Sequence, residues 1–400
     1  MRAKKYKLYN PPAIQYNQNM PKDILIIGGG PAGLSTALHL HQTAPHLIDR
    51  LLVLEKAHYP RPKLCAGGLV TDAEILLLKL GLDVSEIPHI DSQATHFDFA
   101  GKGLTIRPPG NQYSLRVIRR DEFDAWLAAK ARARGIEIRE GLTVIAVKPD
   151  QSGVSVETDA GLFRAQIVIG ADGSNGIVRR SILPHEPIYS ARVLELLAPP
   201  NANPQHASQD AYFDFAPVPL GIAGYTWDFP TQLKGQPMRC WGIYDTNILA
   251  GGKRAPLKAT LAAEMARFGY DLADYDLKGH PIRWFDPFIK ISVPRVLLVG
   301  DAAGADPIFG EGISIALGYG KMAAREVVRA CQHADYSLAG AHRRILTSPL
   351  GQTLLARWLI AYIIYPLQWK WFQILLWRFL QPLVFLIAWF FVLNWAKRMR

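Results

Sequence analysis

The sequence predicts an α/β protein, α+β in its balance of sheets. A mostly parallel sheet is covered by helices, an antiparallel sheet is inserted into it, and a helical region follows. Three observations predict this. Ile24–Ile27 is an apolar run that breaks into Gly28, Gly30 and Gly33 and then a helical pattern. Two more strand-to-glycine turns, VIGADG (168–173) and VLLVGD (296–301), return late in the chain. Between them, 181–284 carries short alternating stretches such as QDAYFDF, GYTWDFP and MRCWGIYD. Continuous apolar runs suit parallel strands buried on both faces, and alternation suits strands with one face buried.

Element by element, residues 1–21 form a basic, polar leader without the apolar stretch of a secretory signal. The strand 24–27 then opens a Rossmann-like unit. Gly28 permits the tight turn, Gly30 lets the backbone approach a pyrophosphate, and Gly33 allows close helix–strand packing. Pro31 and Ala32 begin a helix whose N-terminus favours phosphate. A second strand, RLLVLEK, ends in Glu55 and Lys56, 22 and 23 residues past Gly33. A carboxylate there is placed to accept ribose hydroxyls, so the unit reads as a dinucleotide site. RPKLCAGGLV (61–70) puts Cys65 before Ala66, Gly67 and Gly68, in a loop that can approach a ring system. IRRDEFDAWLAAKARARG (118–135) is a helix headed by Arg119 and Arg120, with Asp121 placed to cap it. In GYTWDFP (224–230), Tyr225, Trp227 and Phe229 share one face of a strand that runs into Pro230. Those rings suit either a protein core or a wall against a ligand.

The order of these motifs resembles the FAD-binding framework of the flavoprotein hydroxylase and geranylgeranyl reductase superfamily. That resemblance covers about 22–330 and implies FAD as cofactor. By it, Gly300 and Asp301 hold the ribityl and pyrophosphate portions, Gly312 and Ile313 follow them at the start of a helix, Asp172 and Gly173 lie near the pyrophosphate, and Arg119 or Arg120 supplies a cation. Lys63-Leu64-Cys65-Ala66-Gly67-Gly68 is similar to the reductases' Cys-Gly-Gly loop, with Ala66 in place of a glycine. PLGIAGYTWDFP (219–230) resembles their Tyr-x-Trp-x-Phe-Pro signature. The resemblance implies that residues 22–90, 115–180 and 285–335 form the FAD-binding domain. Residues 91–114 and 181–284 would form a substrate-binding sheet, with Tyr225, Trp227, Phe229 and Pro230 against a prenyl chain.

Charge and composition add a location. The net charge of +11 sits at the two ends: residues 23–335 hold 32 basic against 34 acidic groups, and no Asp or Glu occurs from 336 onward. A near-neutral body argues against nucleic acid as a partner. Six of the ten tryptophans fall in 358–400, within almost unbroken apolar sequence, which is the composition of a membrane interface. The uncharged run 379–396 is just long enough for one span at about 27 Å of helix, but Pro382 interrupts it. Two short passes, or helices lying in the interface, would keep both basic ends on the cytoplasmic, anionic face. Residues 336–400 are therefore expected to be helical and membrane-associated. Three cysteines give no disulfide framework, no metal cluster is expected, and oligomeric state is left open.

The expected chemistry is hydride transfer from reduced FAD to a C=C bond in the prenyl chain of a membrane isoprenoid lipid, with a proton from Cys65, Tyr225 or water. No second glycine fingerprint follows a strand, so NADPH or ferredoxin would reduce the flavin in a transient encounter. A monooxygenase or halogenase-like enzyme acting on a lipophilic quinone precursor would share every cofactor motif and is the alternative.

Overall fold

The computed structural model describes residues 22–110, 112–249 and 255–399. Apart from Lys22, the basic leader lies outside them. Six strands form the parallel sheet in the order Ser292–Val293, Val296–Leu298, Ile167–Gly170, Ile24–Ile27, Leu51–Leu54, Ile138–Arg139. Only the Ser292–Val293 edge runs antiparallel. Ile24, Leu25, Leu51, Leu52, Ile167 and Val168 are fully buried, because helices and a small sheet of Val144–Pro149, Val154–Thr158 and Gly161–Ala165 share their core. The helix Pro31–Thr43 packs along Ile313–His333, where Ser35 Oγ donates to Leu317 O at 2.8 Å.

A seven-stranded sheet joins Thr95–Phe99 and Lys102–Ile106 to strands between Ser190 and Arg283. It is mixed rather than purely antiparallel: Ala211–Asp214 runs parallel to Thr95–Phe99. The chain enters this sheet in two separate passes, so these neighbours are not joined by a hairpin, and only a hairpin dictates antiparallel pairing. A three-stranded sheet containing Gly68–Leu69, Leu115–Ile118 and His89–Ser92 bridges the two large ones.

The C-terminal region leaves the body along the helix Pro349–Ile364 and comes back to it. No single helix among the described residues is long and apolar enough to cross a membrane. The pair Lys370–Phe379 and Gln381–Arg398 bends by 79°. The return is firmly tied. Asp72 accepts from the amides of Asn394 and Ala396 at 2.9 and 2.8 Å, and Lys79 Nζ donates to the carbonyls of Ala396 and Met399 at 2.7 and 2.6 Å. Trp395 is fully buried against Gly318. Within this helical region Arg357, Trp377 and Trp395 are interior groups. Between the two anchors, Trp369, Trp371, Phe379, Trp389, Phe390 and Phe391 are 48–71% exposed. The result is an apolar helical hairpin fastened to the body at both ends.

Candidate active site

The carboxyl ends of the parallel strands, the Cys65 loop and one face of the seven-stranded sheet enclose a cleft of about 600 Å³. Its first wall is glycine backbone. Gly28 has φ +107°, and a Cβ there would lie 2.3 Å from Ala171 O. At Gly33 a Cβ would lie 2.0 Å from Gly28 O, so Gly33 allows the helix to close on the strand and is not itself on the cleft wall. At Gly30 an added Cβ would meet only Arg61 Nη2 at 3.5 Å, at Gly312 nothing nearer than Asp301 Oδ1 at 3.5 Å, and at Gly173 nothing within 4 Å. These three positions leave the open backbone that close approach of a pyrophosphate requires. Pro31 and Ala32 line the cleft, and no side chain caps Gly30 at the start of that helix. The residues present thus fit a bound dinucleotide.

Glu55 and Lys56 lie on this wall. Glu55 is already held by the amides of Gly29 (2.8 Å) and Ala57 (3.0 Å), so it shapes the glycine turn, and any ribose bond would use its remaining lone pairs. Arg120, not Arg119, reaches the cleft. Burial opposes the charge of Arg120, and the Asp124 carboxylate at 2.9 Å more than offsets this and keeps it protonated. Asp124 also holds Arg61 at 3.0 Å, so two cations flank the cleft. Arg119 is the residue preceding the helix Arg120–Arg132. Asp121 does not cap that helix: it sits within the first turn, 3.5 Å from Arg119 Nε. Asp172 faces the cleft, but its Oδ2 accepts from the Val178 amide at 2.9 Å, securing the next turn. Gly300, Asp301, Gly312 and Ile313 line the cleft together, with burial raising the Asp301 carboxyl.

Cys65, Ala66 and Gly67 form the junction between the two walls. Gly67 has φ +83°, and a Cβ there would strike Ile118 O at 2.0 Å. Burial pushes the Cys65 thiol up, so it stays protonated. The second wall is aromatic. Tyr225, Trp227 and Phe229 are each 5% exposed and face the cleft with Phe213. The registers explain the arrangement: Trp227 is paired with Gly242 on one side and Phe213 on the other. A Cβ at Gly242 would lie 2.1 Å from Trp227 Cζ2, so that glycine makes room for the indole. The Tyr225 hydroxyl donates its one proton to Phe309 O at 2.5 Å, and burial raises its pKa well above 10. Pro230 is off the wall. It lies past Tyr212–Asp228, the last pair of the ladder with Ala211–Asp214, so its missing N–H costs no bond on that side.

Sequence reasoning missed Arg61, Glu195, His280 and the segment 306–311, and it reached Lys63 only as part of the loop motif. Glu195 had a signal: in ARVLELLA it is the single acid sharing the alternate positions of Val193 and Leu197. The segment 306–311 had none. It hangs from distant groups: Tyr225 and Tyr365 donate to Phe309 O and Ile308 O, while Arg357 Nη1 reaches Asp306 Oδ2 at 2.8 Å and Glu311 Oε2 at 3.4 Å.

Residues 22–222 match the model of the FAD binding domain family. The chain is 28% identical over 340 residues to digeranylgeranylglycerophospholipid reductase 3 of Methanosphaera stadtmanae, covering 79% of each chain. Among solved structures, a geranylgeranyl bacteriochlorophyll reductase-like protein of Thermoplasma acidophilum is similar with TM-score 0.71, 21% identity and 94% coverage of each chain. The flavin-dependent brominase Bmp2 is similar with TM-score 0.68, 19% identity and 95% coverage of each. Both solved structures speak to the fold alone.

Proposed function

Because this chain belongs to the FAD binding domain family and is an FAD-dependent oxidoreductase, we propose that it saturates C=C bonds in the prenyl chain of a membrane isoprenoid lipid. One observation carries the reading: a face of aromatic rings lies across a single cleft from the dinucleotide cradle. Bound in the cradle, FAD supplies the hydride. The work of the protein is to align an unactivated alkene and keep water away. Tyr225, Trp227 and Phe229 offer large, stiff apolar area for a long chain. Gly68 brings the Cys65 loop onto that wall, since a Cβ there would lie 3.4 Å from Phe229. Cys65 and Arg120 then border the reacting region from the cradle side. A nicotinamide or ferredoxin donor would restore the cofactor between turnovers.

The test is direct. Dithionite-reduced holoenzyme, held without oxygen with a geranylgeranyl-bearing lipid, should raise the lipid mass by two hydrogens per bond saturated. Because a monooxygenase stalls without oxygen, an unchanged lipid mass would reject the reductase reading.

The exposed hairpin is the docking surface of this reading. It lies in one leaflet at the cytoplasmic, anionic face, with Lys370, Arg378, Lys397 and Arg398 meeting the headgroups. Both ends are fastened to the body, which favours lying in the interface over spanning it. Replacing Trp371, Phe379 and Phe390 together by serine should cut partition onto anionic vesicles by about 10³-fold or more, since each buried side chain is worth about 1.5–3 kcal/mol. Co-sedimentation measures it. Folding should be little affected, because these side chains are 62, 71 and 60% exposed.

A further inference from the structure

Among the described residues, Glu195 is the one acidic side chain on the aromatic face of the cleft. It lies on the strand Ser190–Ala198, where the register runs Glu195, Gly242, Trp227, Phe213 across four neighbouring strands. Two strand spacings put its backbone about 10 Å from that of Trp227. It is 7% exposed and lines the cleft. Its Oε1 accepts from the Cys65 amide at 2.8 Å, and its Oε2 is buried without any hydrogen-bond partner. A buried carboxylate oxygen left alone costs heavily, and a protonated one facing a ligand does not.

We propose that Glu195 holds the transferable proton of this site and delivers it from Oε2 to the alkene. The assignment rests on the reductase reading above. One alkene carbon takes two electrons and a hydrogen as hydride from the reduced cofactor. As the Glu195 O–H bond breaks, the other carbon gains its proton. The carboxylate that remains regains a proton from solvent before the next turnover.

The surroundings separate Glu195 from its rivals. Burial pushes its carboxyl up to about 7, partly offset by the Cys65 amide and by Arg119, Lys63 and Arg120. A group with that affinity is protonated near neutrality yet releases its proton readily. The Tyr225 hydroxyl already gives its proton to a carbonyl, and the Cys65 thiol is raised by burial. His280, on the neighbouring strand, is neutral, with its pKa lowered to about 4 by burial and by Lys63 and Arg120. Cys240, on the other side, is a buried thiol raised well above 9. Among the other acids lining the cleft, Glu55 is held by two amides and Glu311 by Ser314 and Arg357. Asp172, whose Oδ1 is also without a partner, and Asp301, which Ser174 Oγ approaches at 3.5 Å, are likewise raised by burial, but both belong to the cradle wall and not to the aromatic face.

Glu195→Gln preserves the acceptor for the Cys65 amide and removes the proton. Glu264, outside the cleft, is also raised to about 7 by burial and titrates in both proteins, so the readout is the wild-type-minus-variant difference. Infrared spectra of the two holoenzymes, titrated from pH 5 to 9, should leave a carboxylic-acid band in that difference that disappears around pH 7. Single-turnover saturation of the geranylgeranyl lipid should fall about 10²–10³-fold in the variant, with FAD retained and dithionite reduction unchanged. The rate loss with rising pH around 7 should vanish. A wild-type-minus-variant difference without a band titrating between pH 6 and 8 overturns the proposal, as does a variant that keeps its rate. If the wild type saturates no lipid, the reductase reading falls, and the infrared titration alone decides whether Glu195 carries the proton.

Discussion

Arg357→Leu should destabilise the folded protein by about 3–5 kcal/mol, the cost of leaving a buried charge without its partner. Asp306 is fully buried, and Arg357 is 2% exposed on the helix Pro349–Ile364. One guanidinium nitrogen reaches Asp306 at 2.8 Å and the other donates to Val392 O at 2.9 Å. Leucine leaves the buried Asp306 carboxylate near Glu311 with only the Ile308 and Phe309 amides to hold it, and frees the returning end of the hairpin. The denaturation midpoint followed by tryptophan fluorescence measures the loss. Asp306→Asn in the same chain should recover part of it, because the stranded charge is then gone. A loss under about 1 kcal/mol would show that the pair is dispensable. The FAD of the single variant should also dissociate more readily, because Asp306 organises the turn before Gly312 through the Ile308 amide at 2.7 Å.

Trp227→Ala should leave FAD bound while lipid saturation falls by about 10² or more. The indole is the centre of the aromatic wall, and alignment of an unactivated alkene rests on that wall. Removing it also opens a cavity, which costs about 3–5 kcal/mol in a well-packed site. Trp227→Phe separates the two effects: it keeps much of the apolar contact and should recover stability more fully than activity. Gly242→Ala approaches the same question from outside the cleft, because its methyl would force the indole to move. Mass spectrometry of the lipid and flavin absorbance of the purified variants read both effects. If activity tracks stability in all three, the rings are core and nothing more.

What was legible in the sequence was local. The glycine turn, the strand ending in Glu55, the late Gly300-Asp301 turn and the alternation of Tyr225, Trp227 and Phe229 each follow from a few consecutive residues. Backbone sterics and side-chain period act over that range. Helix periodicity could not choose between Arg119 and Arg120; Asp124, one turn on, does so by holding Arg120. The rest depends on contacts between distant residues. Arg357 lies 51 positions from Asp306, and Lys79 lies 320 from Met399. Nothing in the composition of 354–400 distinguishes a tryptophan that stays exposed, such as Trp371, from one that fills the interior, such as Trp395. That choice is made by which side of a bent hairpin meets the body. The parallel pairing of Ala211–Asp214 with Thr95–Phe99 is hidden for the same reason.

The tie between Arg357 and the 306–312 segment has a practical side. An enzyme whose anchor were a separate module could be made soluble by cutting the anchor off. Here the cut would remove the group that neutralises Asp306 and the hydroxyl of Tyr365 that steadies Ile308 O. Under the proposed membrane docking, a detergent-free form would come from repainting the outward side chains of the hairpin while leaving its inward face and its return path intact. A truncation series should lose the yellow colour before it gains solubility.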